Sequence, residues 1–428
     1  MKLVLILLSP LITLADTVKD REGAVRSDRE KMTKQDRWIY NDTDKAFAQA
    51  AREKKPVLVV LRCVPCLACA ALDGSITEAP ALAPLLDKFV CLRLINTNSL
   101  DLNRFQFDYD LSLAALVLNP DGTTYGRFGS WKHQKDPAES SIAGFKAALT
   151  SALALHQNYP SNKATLTDKQ PRSLGFNSPL DIPLIAKSQR NFKPELDWEG
   201  KVVQSCVHCH QIGDGLKSTF HELGKTVPLR LSHPMPAPET IGISLAGDQR
   251  AAITEVQPDS PAAQAGLKPG DEIITASKAP LISPADLAWS LHHLKDEDTL
   301  PLTIKRNGSI SHITLTLPKD WRLKSDISRR VGTWPMRAWI GGGMKLESVP
   351  GDHLGLRAVH VGQYNQHAAA KRAGFKKGDI LVEVDGIKEN LTESELMGRL
   401  LQRYSKPTKL KAIVLRNGKR LTLDFPIQ

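Results

Sequence analysis

The chain has 428 residues, 57 basic against 46 acidic side chains, a formal charge of +11 and six cysteines. That length allows about three domains, each with its own core. The cysteines fall in two tight clusters plus Cys91, which excludes a disulfide framework. The basic excess is spread along the sequence with no nucleic-acid motif beside it. It reads as solvated surface, with weak attraction to anionic envelope lipid or acidic partners as the alternative. Residues 1–15 read as a secretory signal peptide: Lys2, an apolar run from Leu3 to Leu14, and a small-residue cleavage site at Thr13-Leu14-Ala15. That run is short for a membrane span and no later stretch approaches one. The expectation is an exported protein, periplasmic or at the cell surface, with no transmembrane segment after cleavage. Residues 16–36 are charged and poor in large apolar side chains, so they are expected to form a flexible arm.

Order is expected from residue 37 to 156. Asp42 or Thr43 caps a helix through Ala46, Phe47, Ala50 and Ala51, ended by Lys54-Lys55-Pro56. Val57 to Leu61 is a β-branched run bounded by punctuation, as for a buried strand. Phe89 to Leu94, Ala115 to Leu118 and Thr123 to Phe128 read as further strands, and Ile142 to Leu155 as an amphipathic helix. Between the first two strands lie Cys63, Cys66 and Cys69. The order of elements, with Lys-Pro-Val-Leu-Val-Val-Leu before the cysteines, resembles the thioredoxin fold. The resemblance places the redox pair on Cys66 and Cys69, with Cys63 an extra thiol. At a helix N-terminus Cys66 would be stabilised as a thiolate by unpaired amide N–H groups and the helix dipole, and Cys69 would resolve. Leu67-Ala68 departs from the family's motif interior, and the segment before Ala115 lacks the family's proline. A copper or zinc site on the three cysteines, or a purely structural fold, are the alternatives. Cys91 reads as a small core residue.

Residues 157–183 are rich in Pro, Ser, Asn and Lys without periodicity and read as a linker. Residues 184–237 carry Cys206-Val207-His208-Cys209-His210, the spacing that attaches a c-type haem. Two thiols about one helical turn apart add across the porphyrin vinyl groups, and His210 then lies under the iron as its proximal ligand. Gly200-Lys201-x-Val203-x-x-Cys-x-x-Cys-His resembles the first helix of small cytochromes c, which implies a covalent haem. Met235 is the best-placed distal ligand, with His221 and His233 competing. A zinc site and a redox-active cysteine pair are the other readings.

The remainder holds an internal repeat. Ala265-Gly266-Leu267-Lys268-Pro269-Gly270-Asp271-Glu272-Ile273 returns as Ala373-Gly374-Phe375-Lys376-Lys377-Gly378-Asp379-Ile380-Leu381. Each copy is followed by a strand ending in Arg-Asn-Gly, a hairpin signal because both turn residues need positive φ. The pattern resembles bacterial PDZ domains, expected at 238–319 and 338–428 with a linker at 320–337. Such domains add a peptide C-terminus as a strand and hold its carboxylate on backbone N–H groups. Ile241, Gly242 and Ile243 are the carboxylate loop of the first copy, with a groove helix from Pro284. In the second, Leu354-Gly355-Leu356 competes with Gly341 to Met344.

The expected fold is multidomain, α/β plus mainly β: a thioredoxin-like domain, a short helical haem-binding-like segment and two PDZ domains. Taken together, these features, with Arg62-Cys63-Val64-Pro65-Cys66 and Val361-Gly362-Gln363-Tyr364, resemble a bacterial family of exported thioredoxin-like/PDZ proteins, some with selenocysteine. The resemblance implies the architecture; the motifs point to a thiol and haem redox protein, a possible thiol-disulfide oxidoreductase, whose PDZ domains dock envelope partners, redox proteins or peptide C-termini. A dithiol releases two electrons together and one haem accepts one, so the two centres would serve separate partners. A non-catalytic PDZ scaffold is the other class. Serine proteolysis is disfavoured, since no Gly-x-Ser-Gly-like segment with supporting His and Asp is present.

Overall fold

The computed structural model describes residues 20–66, 73–76, 79–129, 139–351 and 353–428. The first sheet runs β1 (Trp38–Tyr40), β3 (Val90–Leu94), β2 (Val57–Arg62), β4 (Leu113–Leu118), β5 (Thr124–Phe128). β1, β3 and β2 are mutually parallel, and β4 and β5 return antiparallel. Every residue of β2 is buried, which explains its unbroken apolar run: such a strand is covered on both faces. One cover is helix α2 (Thr43–Glu53), capped by Asp42 accepting from the Lys45 N–H at 2.9 Å, with Ala46 and Ala50 buried. On the other face lies α3 (Glu139–Gln157), which buries Phe145, Ala148, Leu149 and Ala152.

Three segments expected to be loose are built into the fold. In place of a flexible arm, Arg21–Thr33 is a helix, α1. Its low apolar content hid two buried anchors, Val25 and Met32, and an ion pair from Asp28 to the buried Arg93. The linker at 157–183 contains a 3-10 turn, Lys163–Lys169, whose Leu166 and Lys169 are buried. The second linker holds part of helix Thr333–Trp339, and its Arg330 binds Asp108 at 2.8 Å. Charged side chains do the anchoring here, which an apolar-periodicity reading does not register.

The first PDZ region has a strand pair, β6 (Ile243–Leu245) with β7 (Ile253–Val256), and a sheet of β8 (Glu272–Ala276), β9 (Ala279–Pro280), β10 (Asp298–Arg306) and β11 (Ser309–Leu317). The repeat downstream forms one five-stranded sheet in chain order, β12 (Met344–Ser348), β13 (Leu356–Val361), β14 (Ile380–Val384), β15 (Thr408–Arg416) and β16 (Lys419–Ile427). Both Arg-Asn-Gly turns close hairpins, with Asn307, Gly308, Asn417 and Gly418 all at positive φ. The same clamp occurs twice. Arg306 donates to Asp271 through Nε and Nη2 at 2.7 Å each and to the Gly266 carbonyl at 2.8 Å. Arg416 does so to Asp379 and the Gly374 carbonyl, at 2.7 Å throughout.

A buried polar joint unites the thioredoxin-like sheet with the groove helix of the PDZ region, Pro284–His293. Asp286 of that helix accepts from Lys169 Nζ at 2.8 Å and from the Arg127 N–H of β5 at 3.0 Å. Trp289 Nε1 donates to the Asp168 carbonyl at 2.8 Å, and the Arg127 guanidinium stacks 3.4 Å over the Trp289 ring.

Candidate thiol site

Cys63 follows the end of β2, where its N–H donates to the Ser112 carbonyl at 2.9 Å. Ser112 stands before β4, where the thioredoxin fold would have its proline. Arg62, nearly fully buried, fastens this turn: its guanidinium donates to the carbonyls of Cys63, Ser112 and Cys66 and to Asp73 Oδ2. The Cys66 N–H closes onto the Cys63 carbonyl at 3.0 Å and its side chain is half-buried. Leu67, Ala68 and Cys69 lie outside the described residues.

The second cysteine cluster packs directly against this turn. Cys206 and Cys209 line the same pocket as Cys63, together with Val25 of α1, Ile95 and Thr97. Asn98, fully buried after β3, accepts from the Val207 N–H at 2.7 Å and donates to the carbonyls of Ser205 and Lys193 at 2.8 and 2.6 Å. Thr97 donates to the Val207 carbonyl. Helix α1 closes the pocket from outside: Glu22 accepts from the Val203 N–H at 3.1 Å, and Arg26 Nη2 donates to the Gly200 carbonyl at 2.5 Å. Arg62 entered the sequence reading only as part of the run Arg62-Cys63-Val64-Pro65-Cys66, without a role of its own, and Thr97 and Asn98, which carry no motif, did not enter it.

Cys63 Sγ lies 3.3 Å from His208 Nδ1. Burial, then the charges of His210, Arg190 and Arg21, push His208 down to about 4, so at neutral pH it stands beside the thiol as a neutral ring. Burial, reinforced by Cys206 and Cys66, pushes Cys63 up to about 12. Burial also raises Cys206 and Cys209, and Cys91 in β3 to about 12. Cys91, Cys206 and Cys209 are buried, whereas Cys63 and Cys66 are both half-buried and are the described thiols that a partner reaches most readily.

The Cys-x-x-Cys-His segment as packed here does not fit a covalent haem. Cys206 and His208 are extended, with ψ of 129° and 144°, and the helix begins only at Cys209 (Cys209–Glu222). The two thiols therefore do not sit on one helical turn. Their pocket holds about 10 Å³, no more than roughly one water. His210 faces a different cavity of about 620 Å³, with Nδ1 3.2 Å from Asp214 Oδ2 on its own helix. Met235 lines a third cavity, and its carbonyl accepts from Arg330 at 3.2 Å. His221 stacks on Trp339 with ring centres 4.2 Å apart, and His233 is buried between Ser232 and the Ser394 carbonyl. No three His, Cys, Asp or Glu side chains converge as metal ligands among the described residues.

Ile241 and Ile243 are fully buried at the start of β6. Gly242 between them has φ +87°, and a Cβ there would stand 2.1 Å from the Ser260 Cβ, so only glycine fits. In the later repeat the corresponding turn is Gly341 to Gly343, directly before β12; Leu354 and Gly355 instead precede β13. Beside that turn Glu393, on the helix Glu393–Arg403, accepts from the Leu346 N–H of β12 at 2.8 Å and from Arg337 at 2.9 and 2.5 Å.

A thioredoxin-like family model matches residues 38–120, and a PDZ domain model matches residues 239–317. Among curated proteins, a probable periplasmic serine endoprotease DegP-like of Halomonas elongata is 28% identical over 38% of this chain and 35% of its own length. A namesake from Pseudomonas savastanoi pv. phaseolicola is 25% identical over 41% of this chain and 37% of its own. The chain thus spans about a third of the length of these relatives, with 35% and 37% covered. A serine endoprotease structure from Yersinia pestis matches 18% of this chain and 28% of its own at 30% identity; with a TM-score of 0.17 it bears on no argument about the fold. No described helix is long and apolar enough to cross a membrane.

Proposed function

We propose that this is an exported thiol-disulfide protein, in which the thioredoxin-like turn exchanges two electrons with a substrate disulfide and the PDZ region docks the partner. The observation that carries the reading is the meeting of two cysteine clusters, more than 130 residues apart in sequence, around Cys63, Cys206 and Cys209. Two packing cysteines have no need of a third and of a histidine 3.3 Å away. In the reaction, Cys66 as thiolate attacks the substrate disulfide, forming a mixed disulfide and releasing one substrate thiolate, which takes up a proton. A neighbouring thiol then gives up its proton and displaces the second substrate sulfur, leaving an intramolecular disulfide. Cys69 or Cys63 serves as that resolving thiol, and Cys206/Cys209 accept the oxidation from them by further exchange. An external dithiol restores the starting state.

The repeat at 338–428 is a second PDZ-like unit on this reading, kept for architecture, where Glu393 ties the helix Glu393–Arg403 to β12 and to Arg337. The non-catalytic scaffold is supported by the burial of Cys206 and Cys209, since sealed thiols are inert. A copper or zinc site would need Cys69 to complete its ligand set. The discriminating experiment is reduction of insulin disulfides by the mature protein, with Cys66→Ser as control. Turnover that Cys66→Ser abolishes supports the exchange reading. Absence of dithiol-dependent turnover in the parent leaves the scaffold.

A further inference from the structure

Two histidines connect the thiol turn to the cavity that His210 faces. Cys63 Sγ is 3.3 Å from His208 Nδ1, and the rings of His208 and His210 are centred 6.0 Å apart. The His210 ring therefore stands no more than roughly 11 Å from the Cys63 sulfur, about three residues of extended chain. The cavity, of about 620 Å³, lies between the stretch 184–222 and the helix Thr333–Trp339. Leu184, Phe192 and Trp339 form its apolar wall. Trp339 is fixed there by the His221 ring stacked on it, with the two planes 10° from parallel, and Leu184 is left 42% exposed at the rim. Ser188, Glu222 and Gln366 line the same space, the last two exposed.

We infer that this cavity docks the substrate chain of the thiol site: an extended, near-neutral polypeptide segment with an apolar side chain about three residues from its cystine. The inference rests on the thiol-disulfide exchange reading and adds the kind of substrate that site takes. An extended peptide brings one N–H and one C=O per residue and points alternate side chains to one face. It therefore needs donors and acceptors interleaved with apolar surface, and the hydroxyl, carboxylate and carboxamide beside Leu184, Phe192 and Trp339 supply both. A hydrocarbon ligand would leave those polar groups without partners. The charges do not call for an ion. Asp214 is committed to His210 at 3.2 Å and to Lys217 at 3.2 Å, which leaves Lys187 and Glu222 to offset each other. The volume falls within the range of built ligand sites and accommodates a few residues, not a folded domain.

The test uses the full-length mature protein and two decapeptides as their disulfide-linked dimers. One has leucine and phenylalanine around the third residue from its cysteine, and the other has serine at both places. Dithiothreitol-driven reduction is followed above the uncatalysed rate, and the S-methylated peptides, which cannot react, are titrated by calorimetry. The apolar dimer should be favoured in kcat/KM by roughly tenfold or more, the effect of burying one apolar side chain, with the difference in KM. Leu184→Asp and Gln366→Trp, both at exposed positions, should each remove that preference and weaken the S-methylated apolar peptide to the level of the serine one. Equal kcat/KM for the two dimers, or a preference that survives both variants, would overturn the assignment. If neither dimer is reduced, the exchange reading fails. The cavity is then judged by calorimetry alone: S-methylated apolar peptide binding lost in both variants upholds the groove, and binding that is absent to millimolar concentration or unchanged in them removes it.

Discussion

Replacing Asp286 with alanine tests whether the joint between the thioredoxin-like sheet and the PDZ groove helix holds the two regions together. The carboxylate is 1% exposed and accepts from Lys169 Nζ, itself 1% exposed, at 2.8 Å, and from two backbone N–H groups at 3.0 Å. Its removal leaves Lys169 with only the carbonyls of Tyr125 and Pro280, and burial already lowers the lysine's pKa from its ordinary value. Breaking a buried pair on one side costs about 3–5 kcal/mol. For a cooperative unit of 150–250 residues each kcal/mol shifts Tm by roughly 2–4 °C, so the unit containing this joint should melt about 6–20 °C lower. Scanning calorimetry reads that transition separately from the rest of a multidomain chain, and limited proteolysis across 157–183 reports the loosening. The double replacement Lys169→Leu/Asp286→Leu removes both charges and should recover most of the loss, because an apolar pair often substitutes for a buried ionic one. An Asp286→Ala protein melting within about 2 °C of the parent, less than one kcal/mol would produce, refutes the joint as an energetic connection.

Acid should unfold the PDZ region and the repeat downstream of it through the same device. Burial alone would raise the Asp271 and Asp379 carboxyls, but hydrogen bonds and charge from Arg306 and Arg416 outweigh it and hold both below the ordinary range. A depressed folded-state pKa gives stability that is present above the unfolded value of about 4 and lost as pH falls below it; Asp271→Asn and Asp379→Asn should flatten that acid limb in circular-dichroism melts. Iodoacetamide at neutral pH should label Cys66 before Cys63, whose thiol burial raises, and both well before the fully buried Cys206 and Cys209; early labelling of Cys206 on peptide mapping would contradict the packing. Asn98→Ala removes three hydrogen bonds, to Lys193, Ser205 and Val207, and should cost about 2–4 kcal/mol, with Cys206 labelling brought forward on the same map. Co-expression with a c-type cytochrome maturation system should yield no Soret band that survives acid extraction; a persistent band would mean that the thiol pocket opens before it packs.

The elements legible in the sequence were those whose own side chains bury. β2 appears within one residue of its β-branched run, α2 starts at the Asp42 cap, and both Arg-Asn-Gly turns close hairpins. What escaped the reading was long-range and polar. Helix α1 buries two apolar side chains and is otherwise tied down by Asp28, Glu22 and Arg26 to residues far along the chain. The spacing of Cys206 and Cys209 was visible, yet the meaning of a spacing depends on local backbone, and the extended Cys206–His208 stretch turns the thiols toward Cys63 and His210 away. Arg127 carries no motif: its character comes from a neighbouring domain that supplies Trp289 and Asp286, and among the described residues Nη2 has no acceptor.

The stitching of the Cys-x-x-Cys-His stretch by Asn98 and Thr97 bears on how such a chain divides. Sequence families mark where ancestry is shared, and here they stop at residue 120 and resume at residue 239. The 118 residues between the two matched stretches supply Lys169 to one neighbour, Cys206 to another and the His221 ring to a third. Cutting at the borders of homology would therefore sever contacts within folding units, and an isolated thioredoxin-like fragment would bare Ile95, Thr97 and Asn98 to water. The smallest autonomous piece of this polypeptide is larger than any of its recognisable parts.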